Sequence, residues 1–479
     1  MDFSKLRQFL KIEQMTNTPL TIKETQDGLK EKKFSAVELV DSYLVQIKKY
    51  NPEFNIFLTV TEEEAYAKAR ELDNWINSKL DLTTKPLFGV TAAYKDIFLT
   101  KGIRTTAASK VLDNYIPQYS ATSVKRIESA GAISIGKLNC DAFAHGSSGE
   151  NSDYGVTKNP WNKEYTAGGS SSGSGAVLSS NMSLISTGTD TCGSIRLPAN
   201  YGYSVALKPT YGAVSRYGVI AMASSLDTVG PMGHSVDDVE TVFNVIKGED
   251  GYDGNVVNYK LQKTNDKFRI GVPKEFFVGG LSKEIEKNIQ DVINIYKKEN
   301  VEFVDVSLPS TKYGISVYYI IQPAEVSSNL GRFDGVRYGN SRDSFGEEAK
   351  RRIMLGSYVL SSGYYDAYYE KAMKVRTIIK NEVDEVFTKV DALIAPVAPT
   401  PAFKIGEKAS DPLAMYLTDI YAATANLCGI PSIAMPSGFT DNKLPLGFQL
   451  MGPRFGENNL FKLGKIYEMA TNYEPKVAF

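Results

Sequence analysis

Histidine is almost missing from this chain. Its 479 residues hold two, His145 and His234. A Ser-His-Asp relay is not removed by that count, but a lone histidine is more often structural than catalytic, so another base has to be considered. Cysteine is as sparse. Cys140, Cys192 and Cys428 lie far apart and form no Cys-x-x-Cys pair. Neither a disulfide framework nor a zinc cluster is indicated, and the low count suits a reducing compartment. Charge of one sign is not in excess: 54 Lys and Arg stand against 55 Asp and Glu, a net charge of -1. A global field that would draw in nucleic acid or a membrane is thereby excluded. Lys350-Arg351-Arg352 is a local basic run, of the kind that usually forms a solvated helix face. Nor is there an uninterrupted apolar stretch of the roughly 18 residues a membrane helix needs. The N-terminal MDFSKLRQFLKIEQM mixes charges and lacks the apolar centre of a signal peptide. A soluble, cytoplasmic protein is expected.

What is present is a large apolar complement, 42% of residues, patterned as strands alternating with helices. Ser35-Ala-Val-Glu38 forms a capping box, followed by one apolar face at Leu39, Val40, Tyr43, Leu44 and Ile47. Thr61 to Glu64 repeats the cap before a helix through Trp75 and Ile76. Leu87–Phe98 reads as a strand entering a loop, Ala121–Ala130 as a helix and Ala132–Lys137 as a strand. A further strand is expected near Ser183–Gly188. Beyond about Lys267 come strand Arg269–Val272, helix Lys283–Lys298, strands Val301–Val306 and Asp391–Pro396, and a strand-helix unit over Gly447–Met469. This alternation predicts an α/β fold with a mixed sheet. One domain is expected over 1–479: N-terminal helices to about 80, a core over about 81–245, and a covering and C-terminal part over about 267–479. The polar stretch Gly248–Asp266 reads as a surface insertion.

Three segments carry candidate chemistry. In Gly188-Thr-Asp-Thr-Cys-Gly-Ser194, a strand ends in a turn of small residues. Such a turn can expose the Ser194 hydroxyl while the N–H groups of Thr191, Cys192, Gly193 and Ser194 converge on a developing oxyanion. The Gly/Ser-rich Ala167–Gly175 lacks the Gly-Lys-Ser/Thr ending of a phosphate loop. It reads as a linker or as a loop that sets a serine beside the nucleophile. Lys95 follows an apolar strand, and burial there would lower its pKa and free its amine to act as a base.

Lys95, Gly-Gly-Ser170-Ser-Ser-Gly-Ser and Gly-Thr-Asp-Thr-Cys-Gly-Ser194, in this order and spacing, resemble the amidase signature family. Further stretches are similar to the glutaminase subunits of tRNA-dependent amidotransferases within it: Phe143–Gly155, Lys208–Gly218, Ser224–Met232, Arg332–Gly339 and Ser361–Tyr369. The resemblance implies the amidase signature fold, a central mixed sheet with helices on both faces. It implies that neutral Lys95 draws a proton from Ser170, which follows a cis peptide bond, and that Ser170 in turn deprotonates the nucleophile Ser194. Arg352 would face the α-carboxylate of glutamine and Asp419 its α-amine, with Tyr318 or Tyr319 nearby. No cofactor is expected on this chain. ATP and magnesium would belong to the partner B subunit, which works on Glu-tRNA(Gln), and a small C subunit would wrap around the pair.

The chain also departs from the family. Cys192 and Ser172 stand where glycines are usual, His145 where methionine is usual, and the stretch from Gly339 to Ser344 is short. Two other readings therefore stay open: a stand-alone amidase, and a scaffold subunit whose site Cys192 and Ser172 have disabled.

Overall fold

The computed structural model describes residues 18–76, 84–262, 264–277, 280–336 and 339–479. The N-terminal stretch read against a signal peptide, the end of the expected 1–80 helical region, and Arg337 and Tyr338 of the Arg332–Gly339 motif lie outside them.

The chain opens with helices α1 (Ile22–Lys30) and α2 (Ala36–Phe54). The Ser35 hydroxyl accepts from the Glu38 N–H while the Glu38 carboxylate accepts from the Ser35 N–H, and the face from Leu39 to Ile47 is buried as its period dictates. Strand β1 (Phe57–Val60), helix α3 (Glu62–Ile76) and strand β2 (Thr91–Lys95) follow. The strand is shorter than the apolar run Leu87–Phe98 because Phe88 and Val90 turn back on Lys85 and Leu87. Then come α4 (Thr122–Ser129), β3 (Ile133–Leu138), a small hairpin β4 (Lys158–Asn159) and β5 (Asn162–Thr166), α5 (Ser172–Ser179), β6 (Ile185–Asp190), α6 (Arg196–Gly202), β7 (Val205–Lys208), β8 (Thr228–Gly233) and α7 (Val236–Ile246). The second half adds β9 (Arg269–Pro273), α8 (Lys283–Lys298), β10 (Glu302–Val306), α9 (Gly314–Asn329), α10 (Glu347–Val359), α11 (Lys371–Val386), β11 (Ala392–Ala395), α12 (Pro412–Tyr416), α13 (Ala423–Cys428), β12 (Ser432–Phe439), β13 (Pro445–Met451) and α14 (Glu457–Thr471).

One 11-stranded sheet runs in the order β1-β3-β2-β6-β8-β7-β12-β13-β11-β9-β10. It is mixed: β2 is parallel to both β3 and β6, β9 is parallel to β10 and β11, and the strands between β6 and β11 pair antiparallel. Every residue of β2, β6, β7, β8, β11 and β13 is buried, so both faces of the sheet's middle are covered. The Gly248–Asp266 stretch is largely exposed, as a surface insertion would be. Among the described residues no helix is long and apolar enough to cross a membrane.

Two features differ from the sequence reading. The Gly/Ser-rich segment is neither linker nor plain loop, because its second half is the buried helix α5. The glycines there are a packing requirement: a Cβ on Gly173 would lie 2.7 Å from the Asn139 carbonyl oxygen, and one on Gly175 2.5 Å from that of Pro198. The basic run is not a positive patch either. Lys350 and Arg351 pair with Glu347 and Glu348 one turn earlier, and Arg352 is buried.

Candidate active site

Lys95 is the last residue of β2 and is fully buried. Its Nζ donates to Ser170 Oγ at 2.7 Å and to Thr189 Oγ1, on the neighbouring strand β6, at 3.1 Å. Burial pulls its pKa from 10.5 to about 8, against the opposing influence of Cys140, Asp141, Asp227 and Asp190. Lys137 on β3 is a second fully buried lysine, but it sits 3.2 Å from the Asp96 carboxylate. The hydrogen bonds of Lys95 go to two hydroxyls instead, a setting from which the amine can exchange a proton with a serine.

Ser170 follows a cis Gly169–Ser170 peptide bond. Only glycine fits before it: a Cβ on Gly169 would stand 2.1 Å from Asp141 Oδ2 and 2.7 Å from the Ser148 nitrogen. The Asp141 N–H donates to the Ser170 carbonyl at 3.1 Å. The Asp141 carboxylate, pushed up to about 6 by burial, accepts from the Gly149 and Asn151 amides at 3.0 and 2.9 Å. Ser171 N–H then donates to the Ser194 carbonyl at 3.1 Å, joining the Ser170 segment to the loop between β6 and α6. No hydrogen bond joins the Ser170 and Ser194 hydroxyls themselves.

That loop is pinned by Asp190, the last residue of β6. Its carboxylate accepts from Gly193 N–H at 2.7 Å, Ile195 N–H at 3.3 Å, and Arg196 Nε and Nη2 at 3.0 Å each. Burial would raise its pKa, but the Arg196 guanidinium holds it at about 2. Arg196 continues to Gln449 Oε1 at 2.6 Å, Asn426 Oδ1 at 2.7 Å and the Ala422 carbonyl at 3.0 Å. Asp227 anchors the other side, accepting from Thr191 Oγ1 at 2.7 Å. This pinning corrects the expected set of four oxyanion donors, because Gly193 N–H is committed to Asp190. The amides of Thr191, Cys192 and Ser194 have no acceptor among the described residues. Arg196→Met would strand the Asp190 carboxylate in the interior, and removing one partner of such a pair costs about 3–5 kcal/mol. A lower denaturant midpoint is the expected result.

Left-handed backbone is needed at Gly193, with φ of +92°, and not at Cys192. Cys192 therefore does not strain the loop, and its Sγ lies 3.9 Å from the Asp419 carbonyl oxygen. Ser172 is equally accommodated at the start of α5, 3.3 Å from Thr157 Oγ1.

Asp419 and Arg352 lie at the other end of the site, both buried. Asp419 Oδ2 accepts from Ser147 Oγ at 2.7 Å and from the Tyr319 hydroxyl at 3.0 Å, and burial pushes its pKa up to about 7. Arg352, on α10, donates from Nε to Glu348 Oε1 at 2.8 Å, and its guanidinium lies 5.5 Å from the Tyr319 ring centre. Tyr319 is thus the tyrosine that links the two. Tyr318 stacks edge-on against it with ring centres 4.8 Å apart and is buried. Sequence reasoning missed Ser147, Asp190, Asp227 and Arg196. Ser147 was in plain view within Phe143–Gly155, but nothing local tells a serine that reaches Asp419 from a turn serine.

The Amidase family model matches residues 38–461. A glutamyl-tRNA(Gln) amidotransferase A subunit from Geobacter metallireducens is 47% identical over 96% of this chain and 99% of its own length. The chain belongs to the amidase family, among its glutamyl-tRNA(Gln) amidotransferase A subunits. The relative so named from Trichlorobacter lovleyi is 48% identical over 96% of this chain and 98% of its own length. The crystal structure of the Thermotoga maritima A subunit superposes with a TM-score of 0.80 at 37% identity, covering 94% of each chain. The amidase fold, with its mixed central sheet, is therefore shared across almost the whole chain.

Proposed function

We propose that this chain is the glutamine-hydrolysing subunit of a tRNA-dependent amidotransferase. The observation that carries the reading is a buried lysine amine, 2.7 Å from Ser170 Oγ, on a segment hydrogen-bonded to the backbone of Ser194. Uncharged Lys95 accepts the Ser170 proton as Ser170 takes that of Ser194, and Ser194 Oγ attacks the side-chain amide carbon of glutamine. The oxyanion is held by the amides of Thr191, Cys192 and Ser194. Collapse of the intermediate expels ammonia, with the proton returned through Ser170 to the leaving nitrogen. Water, deprotonated by the same relay, then cleaves the γ-glutamyl ester and releases glutamate.

Glutamine is selected at the far end, where Arg352 faces its α-carboxylate and Asp419 its α-ammonium. The ligand's positive charge also offsets the burial that weakens ionisation of Asp419. A desolvated guanidinium–carboxylate pair is worth about 3 kcal/mol, or roughly 100-fold in affinity. Arg352→Ala is accordingly expected to raise the glutamine KM by about that factor while ammonia-driven product formation is spared. Equal damage with both nitrogen sources would make Arg352 structural.

In this reading the ammonia passes to the partner B subunit, which holds ATP and magnesium and converts Glu-tRNA(Gln) to Gln-tRNA(Gln). A small C subunit wraps around the pair. The test is to purify a tagged chain from its native cell and assay ATP- and glutamine-dependent formation of Gln-tRNA(Gln). Two companions and one glutamate released per product are expected. A lone chain that hydrolyses varied amides and yields no tRNA-linked product would make it a stand-alone amidase.

A further inference from the structure

His145 is fully buried, and neither of its ring nitrogens has a hydrogen-bond partner. A buried polar group without a partner is rare and costly to keep. Its position is not slack. The backbone N–H donates to the Ala142 carbonyl at 3.0 Å and its carbonyl accepts from Asn151 Nδ2 at 2.8 Å, so the backbone that carries the ring is fixed. Two residues on, the same loop delivers Ser147 to Asp419. Burial disfavours the imidazolium, and so does the positive charge of Arg352. The ring is therefore neutral, with one N–H donor and one bare nitrogen.

We propose that His145 is a specificity residue of this site, donating a hydrogen bond to the substrate's α-carboxylate beside Arg352. This rests on the reading of Arg352 and Asp419 as the glutamine clamp. A neutral donor suits that place: it adds direction to carboxylate recognition without setting a second buried cation against the guanidinium. It also gives the unpartnered ring an acceptor when substrate enters. The group rewarded is the α-carboxylate, so the effect is selection against amides that lack it.

Two measurements test this on the full-length protein. With only two histidines, ring-15N labelling yields two imidazole systems, and His234 is the internal control. In the Ser194→Ala protein, saturating glutamine is expected to shift the His145 ring signals. 4-Aminobutanamide, which is glutamine without its α-carboxylate, is expected to leave them in place. In kinetics, His145→Met is expected to raise the glutamine KM about 10- to 100-fold, the worth of one hydrogen bond to a charged group. Its kcat should stay within about threefold of the parent, and kcat/KM for 4-aminobutanamide should be unchanged. His145→Gln, which keeps a donor, should recover most of the loss. His145 signals that ignore saturating glutamine, or a Met variant that harms both amides equally, would overturn the proposal, and the labelling result stands even if the variants fail to fold. Arg352→Ala separates the two levels. If it erases discrimination between the amides and His145→Met does not, only the role of His145 falls. If neither variant alters discrimination, the clamp itself is wrongly read.

Discussion

Ser194→Ala is expected to abolish glutamine-driven turnover, by at least about 10⁴-fold, because no other group can form the γ-glutamyl ester. The fold should be untouched. The Ser194 carbonyl, not its hydroxyl, accepts the bond from Ser171, and the loop is held by Asp190 and Asp227. In the assembled complex, free ammonium should restore product formation, because the lesion removes only the source of nitrogen. An electrophilic glutamine analogue should label Ser194 in the parent protein and nothing in the variant. The rival nucleophile is Cys192, two residues away. Burial raises its thiol well above the ordinary range, so little thiolate is present to compete. A label found on Cys192 would overturn the assignment.

Lys95→Ala should cost about 10³-fold in kcat for glutamine, since it removes the terminal proton acceptor of the relay. Changing both histidines, His145 and His234, to Gln should keep kcat within a few-fold of the parent, and that contrast separates a lysine relay from a histidine one. The pH dependence has a definite sign. Burial disfavours the ammonium form, so Lys95 loses its proton near 8 rather than at 10.5. In the proposed relay the active form is the neutral amine. Turnover should therefore rise with pH through about 8 and level off above it, and fall roughly tenfold per unit below. A rate that stays flat from pH 6 to 9, or a Lys95→Ala protein with near-normal turnover, would refute this mechanism.

Much of the periphery was legible because its signals are local. Helix Lys283–Lys298 has its expected bounds, since Ser282 caps it, acidic residues fill the first turn and lysines close the last. Strand Ala392–Ala395 is an apolar run of the sort buried strands require. The sheet's middle was harder to read. Thr228-Val-Gly-Pro-Met-Gly233 has the composition of a turn, yet it pairs with strands on both sides. Tertiary packing overrides local preference there. Helix α5 was hidden for the same reason, as its glycines and serines answer to the backbone of neighbouring segments rather than to helix propensity. In the site, Lys95, Ser170 and Ser194 could be named from their spacing and resemblance. The engagement of Gly193 N–H could not, because it depends on where the Asp190 carboxylate points once Arg196 has folded over it.

The two ends of the site have different foundations. Lys95 and its neighbour Thr189 stand on adjacent strands of the sheet, whereas Arg352, Tyr319 and Asp419 come from α10, α9 and the segment after α12. Their contact with the nucleophile loop runs through Cys192 and through Gly193, where a Cβ would come within 2.7 Å of Ala422. Inheritance can act on the two separately. Substitutions in the helices are expected to change which amide is accepted and to leave Lys95 and its serines in place, so one chemical engine can be offered to new substrates by exchanging the parts that hold them.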